Sequence, residues 1–112
     1  MIKRSGGVVA PSELEDAAHA VAGVLLAAAV GVAAAPTAVS ERVVVVVEAD
    51  AAGADGDPIA AGVAEAIRDS LGFSPHDVLI VRPRTIPRTA NGKVRYNALK
   101  ELVAPQPAGG PG

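Results

Sequence analysis

The chain contains no cysteine. That removes disulfides, thiolate metal sites and cysteine nucleophiles together, and it fits a reducing, cytoplasmic setting. Aromatic residues are nearly missing: Phe73 and Tyr96 are the whole supply. With half of the residues hydrophobic, the core must therefore be built from alanine, valine and other aliphatics. The two histidines, His19 and His76, lie far apart and have no ligand spacing around them, so they read as surface or boundary residues. The acids Asp50, Asp55 and Asp57 lack the alternating positions of a calcium loop, and no metal site is expected. The apolar run from Ala20 to Ala35 falls short of the ~18–20 residues that a membrane-spanning helix needs. Glu13, Glu15 and Asp16 stand directly before it, where a signal peptide avoids acids. No membrane span is expected.

What is present fits one small domain within 112 residues. Met1 to Val9 reads as a short strand, a Gly6-Gly7 hairpin turn and a second short strand. Ser12 and Glu15 have capping-box spacing, with Leu14, Ala17, Ala18 and Val21 forming the apolar stripe of a helix of about ten residues. Val24–Val32 and Glu41–Glu48 read as strands. The five consecutive valines of the second favour β structure covered on both faces. Asp57 and Pro58 open a second helix with the stripe Ile59, Val63, Ile67 and Leu71, which Gly72 closes. Val78–Val81 is expected as a third core strand. Tyr96, Leu99, Leu102 and Val103 mark a last short helix. The fold class is α+β: a small three-stranded sheet flanked by helices, with an N-terminal β-hairpin. Residues 1–103 form the domain, and the Pro/Gly-rich residues 104–112 are expected to be a disordered tail.

The net charge of -2 conceals a local asymmetry. Arg82, Arg84, Arg88, Lys93, Arg95 and Lys100 fall between Val78 and Lys100 with no acid among them. Such a segment suits an anionic partner, although a solvated basic loop accounts for it as well. Pro83 and Pro87 stiffen the approach, and Asn91-Gly92 is a turn dipeptide that presents Lys93 as a mobile point charge. A lysine in a turn can equally be no more than solvated. Gly92-Lys93 does not complete a nucleotide P-loop, since Pro87 and Val94 occupy the places of the required glycine and hydroxyl residue. The dinucleotide fingerprint is missing, no Ser-His-Asp arrangement is arguable, and the basic segment lacks the aromatic partners that single-stranded nucleic acid requires.

Ile86-Pro87-Arg88-Thr89-Ala90-Asn91-Gly92-Lys93-Val94 resembles the final core motif of the acyl-adenylating (ANL) superfamily, roughly Ile/Leu-Pro-x-Thr-x-Ser/Asn-Gly-Lys-Ile/Val. This superfamily comprises acyl-CoA synthetases, fatty-acyl-AMP ligases, luciferases and peptide-synthetase adenylation domains. The opening Ile2–Glu15 resembles the stretch after that family's hinge, with Ile-Lys, a following glycine, Val9, Pro11 and Glu13-Leu14-Glu15 in place. The two motifs stand in the right order, and the likeness runs to about Val103. His76–Pro83 and Ser40–Val45 are most similar to fatty-acyl-AMP ligases, which pass the acyl group to an acyl carrier protein; acyl-CoA synthetases use coenzyme A instead.

The resemblance implies the C-terminal lid of an AMP-forming ligase. Lys93 would reach the fatty-acid carboxylate and the adenylate, on a loop with Thr89, Asn91 and Gly92. Lys3, Arg4, Ser5, Gly6 and Gly7 would form the face used in the later transfer to a thiol, although the glycines also suit a plain hairpin. Arg82, Arg84, Arg88 and Arg95 would dock a carrier protein. ATP and Mg2+ would be held mainly by the enzyme's own large N-terminal domain, so this chain alone is expected to be inactive. Arg95 is followed by Tyr96 and Asn97 where the family often has basic residues.

Overall fold

The computed structural model describes residues 2–4, 7–33, 41–50 and 57–103. Strands β1 (Ile2–Arg4) and β2 (Gly7–Val9) form an antiparallel hairpin, followed by helix α1 (Pro11–His19). Strands β3 (Leu26–Ala33) and β4 (Glu41–Glu48) are antiparallel. Helix α2 (Asp57–Leu71) then returns the chain to β5 (Asp77–Val81), which lies parallel to β4. Helix α3 (Tyr96–Val103) closes the described chain. The larger sheet has the order β3-β4-β5, so the valine strand is central and is hydrogen-bonded on both edges.

Alternation along β4 divides the core in two. Val43, Val45 and Val47 belong to a cluster with Leu14, Ala17 and Ala18 of α1, and with Val63 and Ile67 of α2. Val44 and Val46 face the opposite way and pack with Ile86 and Leu99. The sheet is thus covered by α1 and α2 on one side and by the loop after β5 with α3 on the other. This two-sided burial explains the unbroken apolar run.

Several local expectations need correction. Ser12 does not cap α1: the N-cap is Ala10, no side-chain cap bond forms, and Pro11 occupies the first turn. Proline suits that position because its missing N–H has no helical partner there. Gly7 pairs with Arg4 as a residue of β2 and so is not part of a turn; Gly6 lies outside the described residues. This register sets Ile2 opposite Val9, and both are buried. β5 is the expected third strand and lies at the sheet's edge: Val78 and Ile80 pack on the first cluster and Val81 on the second, while Leu79 is 38% exposed. In α3 only Leu99 is fully buried, and Leu102 is 61% exposed. Val21 lies beyond the end of α1 but still packs on the first cluster. The expected tail, 104–112, and the loop acid Asp55 lie outside the described residues.

Candidate functional site

Two successive turns after β5 build the loop that carries Lys93. In the first, Pro83 occupies the second position and Arg84 the third, with φ +70° at Arg84. The Thr85 N–H and hydroxyl both donate to the Arg82 carbonyl, at 3.2 and 2.6 Å. A positive φ at the third position is the signature of a type II turn, where glycine or asparagine is usual. Ile86 then plunges into the second core cluster, 1% exposed, and tethers the loop to the sheet.

The second turn carries the lysine. Arg88 and Val94 pair as an antiparallel bridge, and Arg95 N–H donates to the Pro87 carbonyl at 2.8 Å. Between them Thr89 organises the tip: Gly92 N–H reaches its carbonyl at 2.9 Å, and Lys93 N–H reaches its hydroxyl at 3.2 Å. In return Thr89 N–H donates to the Lys93 carbonyl at 2.8 Å. Gly92 adopts φ +87°, a conformation that residues with a Cβ take at a cost. Lys93 and Asn91 are exposed. The result is a miniature hairpin that holds an ammonium group clear of the domain surface.

Glu48 fixes the base of this hairpin. It is the one buried charged residue among the described residues, 2% exposed. Its Oε2 accepts the Ile86 N–H at 2.9 Å, and both carboxylate oxygens face the Arg88 guanidinium at 3.4 and 3.5 Å. The sequence offers a signal for this residue: strand alternation puts Glu48 on the same face as Val44 and Val46. An acid facing inward on a strand covered on both sides must find partners.

A second carboxylate holds the segment just beyond the lysine. Tyr96 O–H donates to Glu15 Oε2 at 2.7 Å, and that oxygen also accepts Ala29 N–H at 3.0 Å. Burial first, then the hydrogen bond and charge of Glu15, push the Tyr96 phenol from its ordinary 10.0 up to about 12. One turn further along α1, His19 Nε2 accepts the Ala27 N–H at 3.1 Å. Glu15 and His19, one helical turn apart, thus cap two outward N–H groups along the β3 edge, where no further strand pairs among the described residues. Neither role was visible in the sequence, since both depend on α1 lying along that edge.

The described residues singled out by the motifs are anchored in two different clusters. Lys93, Thr89, Asn91 and Gly92 share the hairpin tip. Ile86 and Val94, which anchor it, belong to the cluster on one face of the sheet. Ile2 and Val9, which anchor the strands carrying Lys3, Arg4 and Gly7, belong to the cluster on the other face. Ser5 and Gly6 lie outside the described residues. Arg82, Arg84 and Arg95 are exposed, whereas the Arg88 guanidinium is turned towards Glu48. Among the described residues, no group of three or more histidine or acidic side chains could hold a metal ion, and no helix is long and apolar enough to cross a membrane.

No protein-family model matches the chain, and no curated protein sequence matches it. Solved structures do. An adenylation, ketoreductase and pseudo-Asub multidomain structure of a keto acid-selecting peptide-synthetase (NRPS) module superposes with a TM-score of 0.81 at 22% identity, covering 92% of this chain and 9% of that one. An acyl-CoA synthetase from Brucella canis gives 0.73 at 24% identity, covering 90% and 18%. The amide bond synthetase McbA from Marinactinospora thermotolerans gives 0.71 at 30% identity, covering 93% and 20%. The chain therefore spans a fifth or less of the length of these three structures. Its three-stranded mixed sheet with three helices has the α+β fold of the C-terminal subdomain of acyl-adenylating enzymes.

Proposed function

We propose that residues 1–103 are the C-terminal lid domain of a fatty-acyl-AMP ligase, and that Lys93 completes its adenylation site. The observation that carries this reading is the Thr89–Lys93 turn. An exposed lysine stands on a hairpin braced by three hydrogen bonds, in a fold shared with enzymes that adenylate carboxylic acids. A cation so mounted suits charge that appears only as a carboxylate attacks the α-phosphate of ATP, because its position is set before the reaction begins. Thr89, Asn91 and Gly92 act here by shaping the turn. ATP, its Mg2+ and the fatty acid would be bound by a large N-terminal domain, and this chain alone would be inactive. The whole enzyme would work in the cytoplasm.

The hairpin Ile2–Val9 and the lysine loop draw their anchors from opposite faces of the sheet. That arrangement suits a lid that turns between two half-reactions: Lys93 faces the adenylate in the first, and Lys3, Arg4, Ser5, Gly6 and Gly7 face the thiol acceptor in the second. The acceptor is proposed to be an acyl carrier protein, with coenzyme A as the alternative. The exposed Arg82, Arg84 and Arg95 favour the acidic protein. A docking module without catalysis is the remaining reading of the same arginines.

The deciding measurement is acid-dependent exchange of pyrophosphate into ATP, with the chain joined to its large domain. Lys93→Ala should slow exchange on the order of a hundredfold. Unchanged exchange would remove Lys93 from the reaction. Carrier-protein binding to the isolated chain should weaken between low and high salt; binding indifferent to salt would count against arginine docking.

A further inference from the structure

We infer that Glu48 is a positioning residue for Lys93, a buried clamp that sets where the lysine hairpin stands on the sheet; this rests on the adenylation reading above. Glu48 is locked by the central strand. It lies in register with Leu26 on one side and Val81 on the other, and its carbonyl accepts the Leu25 N–H at 2.8 Å. The loop leaves β5 at Val81, beside Glu48, runs through the Arg82–Thr85 turn and returns at Ile86 to the Glu48 carboxylate. The same side chain therefore sits next to the start of the loop and captures its return.

The two contacts differ in weight. The Ile86 N–H at 2.9 Å is a charge-assisted hydrogen bond of ordinary length, and it fixes the backbone. The Arg88 guanidinium at 3.4–3.5 Å is too distant for a strong bond and contributes mainly charge. Stability alone does not explain such a group. Replacing a buried ion pair with well-packed apolar residues is often neutral or favourable. What an apolar residue could not do is orient the hairpin base. Ile86 and Arg88 flank Pro87, whose φ is fixed, and Arg88 pairs across the hairpin with Val94, the neighbour of Lys93. The tip closes by its own bonds through Thr89, so it moves as a unit with that base. Orientation at Glu48 is thereby transmitted to the ammonium group.

The test uses Glu48→Leu and Arg88→Met in the full chain, alone and joined to the adenylating domain. Amide hydrogen exchange at Ile86 should accelerate on the order of tenfold in Glu48→Leu and less in Arg88→Met. In the joined enzyme, kcat for acid adenylation should fall on the order of tenfold in Glu48→Leu while KM for ATP stays put, because a displaced lysine is missed mainly in the transition state. Should Glu48→Leu fail to fold, Arg88→Met, altered at a partly exposed side chain, decides the matter. Unchanged Ile86 exchange in the folded variants overturns the clamp. Faster exchange with unaltered kcat overturns its role in placing Lys93. If Lys93→Ala leaves adenylation intact, the adenylation reading fails on its own, and the exchange data still judge the clamp.

Discussion

Tyr96 and Glu15 meet through a 2.7 Å hydrogen bond across 81 residues of sequence, and they do so at the edge of the sheet. Glu15 belongs to α1, which packs on one face; Tyr96 opens α3, which packs on the other. The same carboxylate oxygen accepts the Ala29 N–H from β3, so one atom links both helical layers and the strand between them. Tyr96 follows the lysine hairpin by three residues. Glu48 therefore holds the segment before the hairpin, and Glu15 holds the segment after it.

The phenol itself reports this link. Its pKa is raised from 10.0 to about 12, by burial first and then by Glu15. A group whose folded pKa exceeds its unfolded value contributes stability that is fully present below pH 10 and lost as pH rises through 12. Tyr96 is the single tyrosine and there is no tryptophan, so ultraviolet absorbance follows this one ionisation without interference. The midpoint should lie near 12 in the folded chain and move back towards 10 in Glu15→Gln. A midpoint near 10 in the unmodified protein would show that the bond does not persist in solution.

Two leucines three residues apart in α3 offer a matched pair of truncations. Leu99 is 1% exposed and packs with Val44, Val46 and Ile86, whereas Leu102 is 61% exposed. Leu99→Ala should cost about 2–5 kcal/mol through lost burial and the cavity left behind. Leu102→Ala should change stability by no more than about 0.5 kcal/mol. Thermal or urea unfolding of the two variants compares them directly. Similar losses would mean that α3 presents a different face to the sheet.

Much of this architecture was legible because pattern and propensity agreed. The valine run of β4, the Ile59–Leu71 stripe and the Gly72 stop each gave the same answer as the packing. Gly72 takes φ +82° and donates to the Arg68 carbonyl at 2.9 Å, as a C-terminal helix stop should. Legibility failed where a residue's partner lies far along the chain. Ser12 and Glu15 fit a local capping pattern, yet Glu15 answers to Ala29 and Tyr96, which only the fold brings near. Leu102 continued a plausible apolar stripe, but the face of α3 turned to the sheet runs through Leu99 and Val103 and leaves Leu102 outside it. The position of Lys93 could be read from its motif, whereas for Glu48, 45 positions earlier, alternation along the valine strand signals only an inward-facing acid, and the loop that it holds is set by the fold.

Arg84 carries backbone strain without a visible contact to offset it. At φ +70° a residue with a Cβ is disfavoured by about 1–2 kcal/mol. Glycine would remove that strain but would also add freedom to the unfolded chain. The net gain of Arg84→Gly should be about 0.5–1 kcal/mol, seen as a higher unfolding midpoint. Carrier-protein affinity should fall in the same variant if the exposed guanidinium docks an acidic partner. Greater stability with undiminished affinity would leave docking to Arg82 and Arg95.

Gly92 provides the converse test, at the turn that presents Lys93. A Cβ added there would meet nothing within 4 Å, so crowding cannot account for any penalty. The penalty comes from φ +87° alone. Gly92→Ala should therefore destabilise the chain by about 1 kcal/mol if the turn keeps its shape. The turn can instead relax, which breaks the bond from the Gly92 N–H to the Thr89 carbonyl and releases the Lys93 N–H from the Thr89 hydroxyl. Unfolding measurements and amide exchange at Thr89 and Lys93 separate these outcomes. Full stability together with faster exchange would mean that the hairpin has opened locally while the domain stays folded. In the joined enzyme such a variant should lose adenylation nearly as severely as Lys93→Ala, because the charge would remain but its place would not. Retained activity with an opened turn would show that the lysine works as a mobile charge and needs no fixed mount.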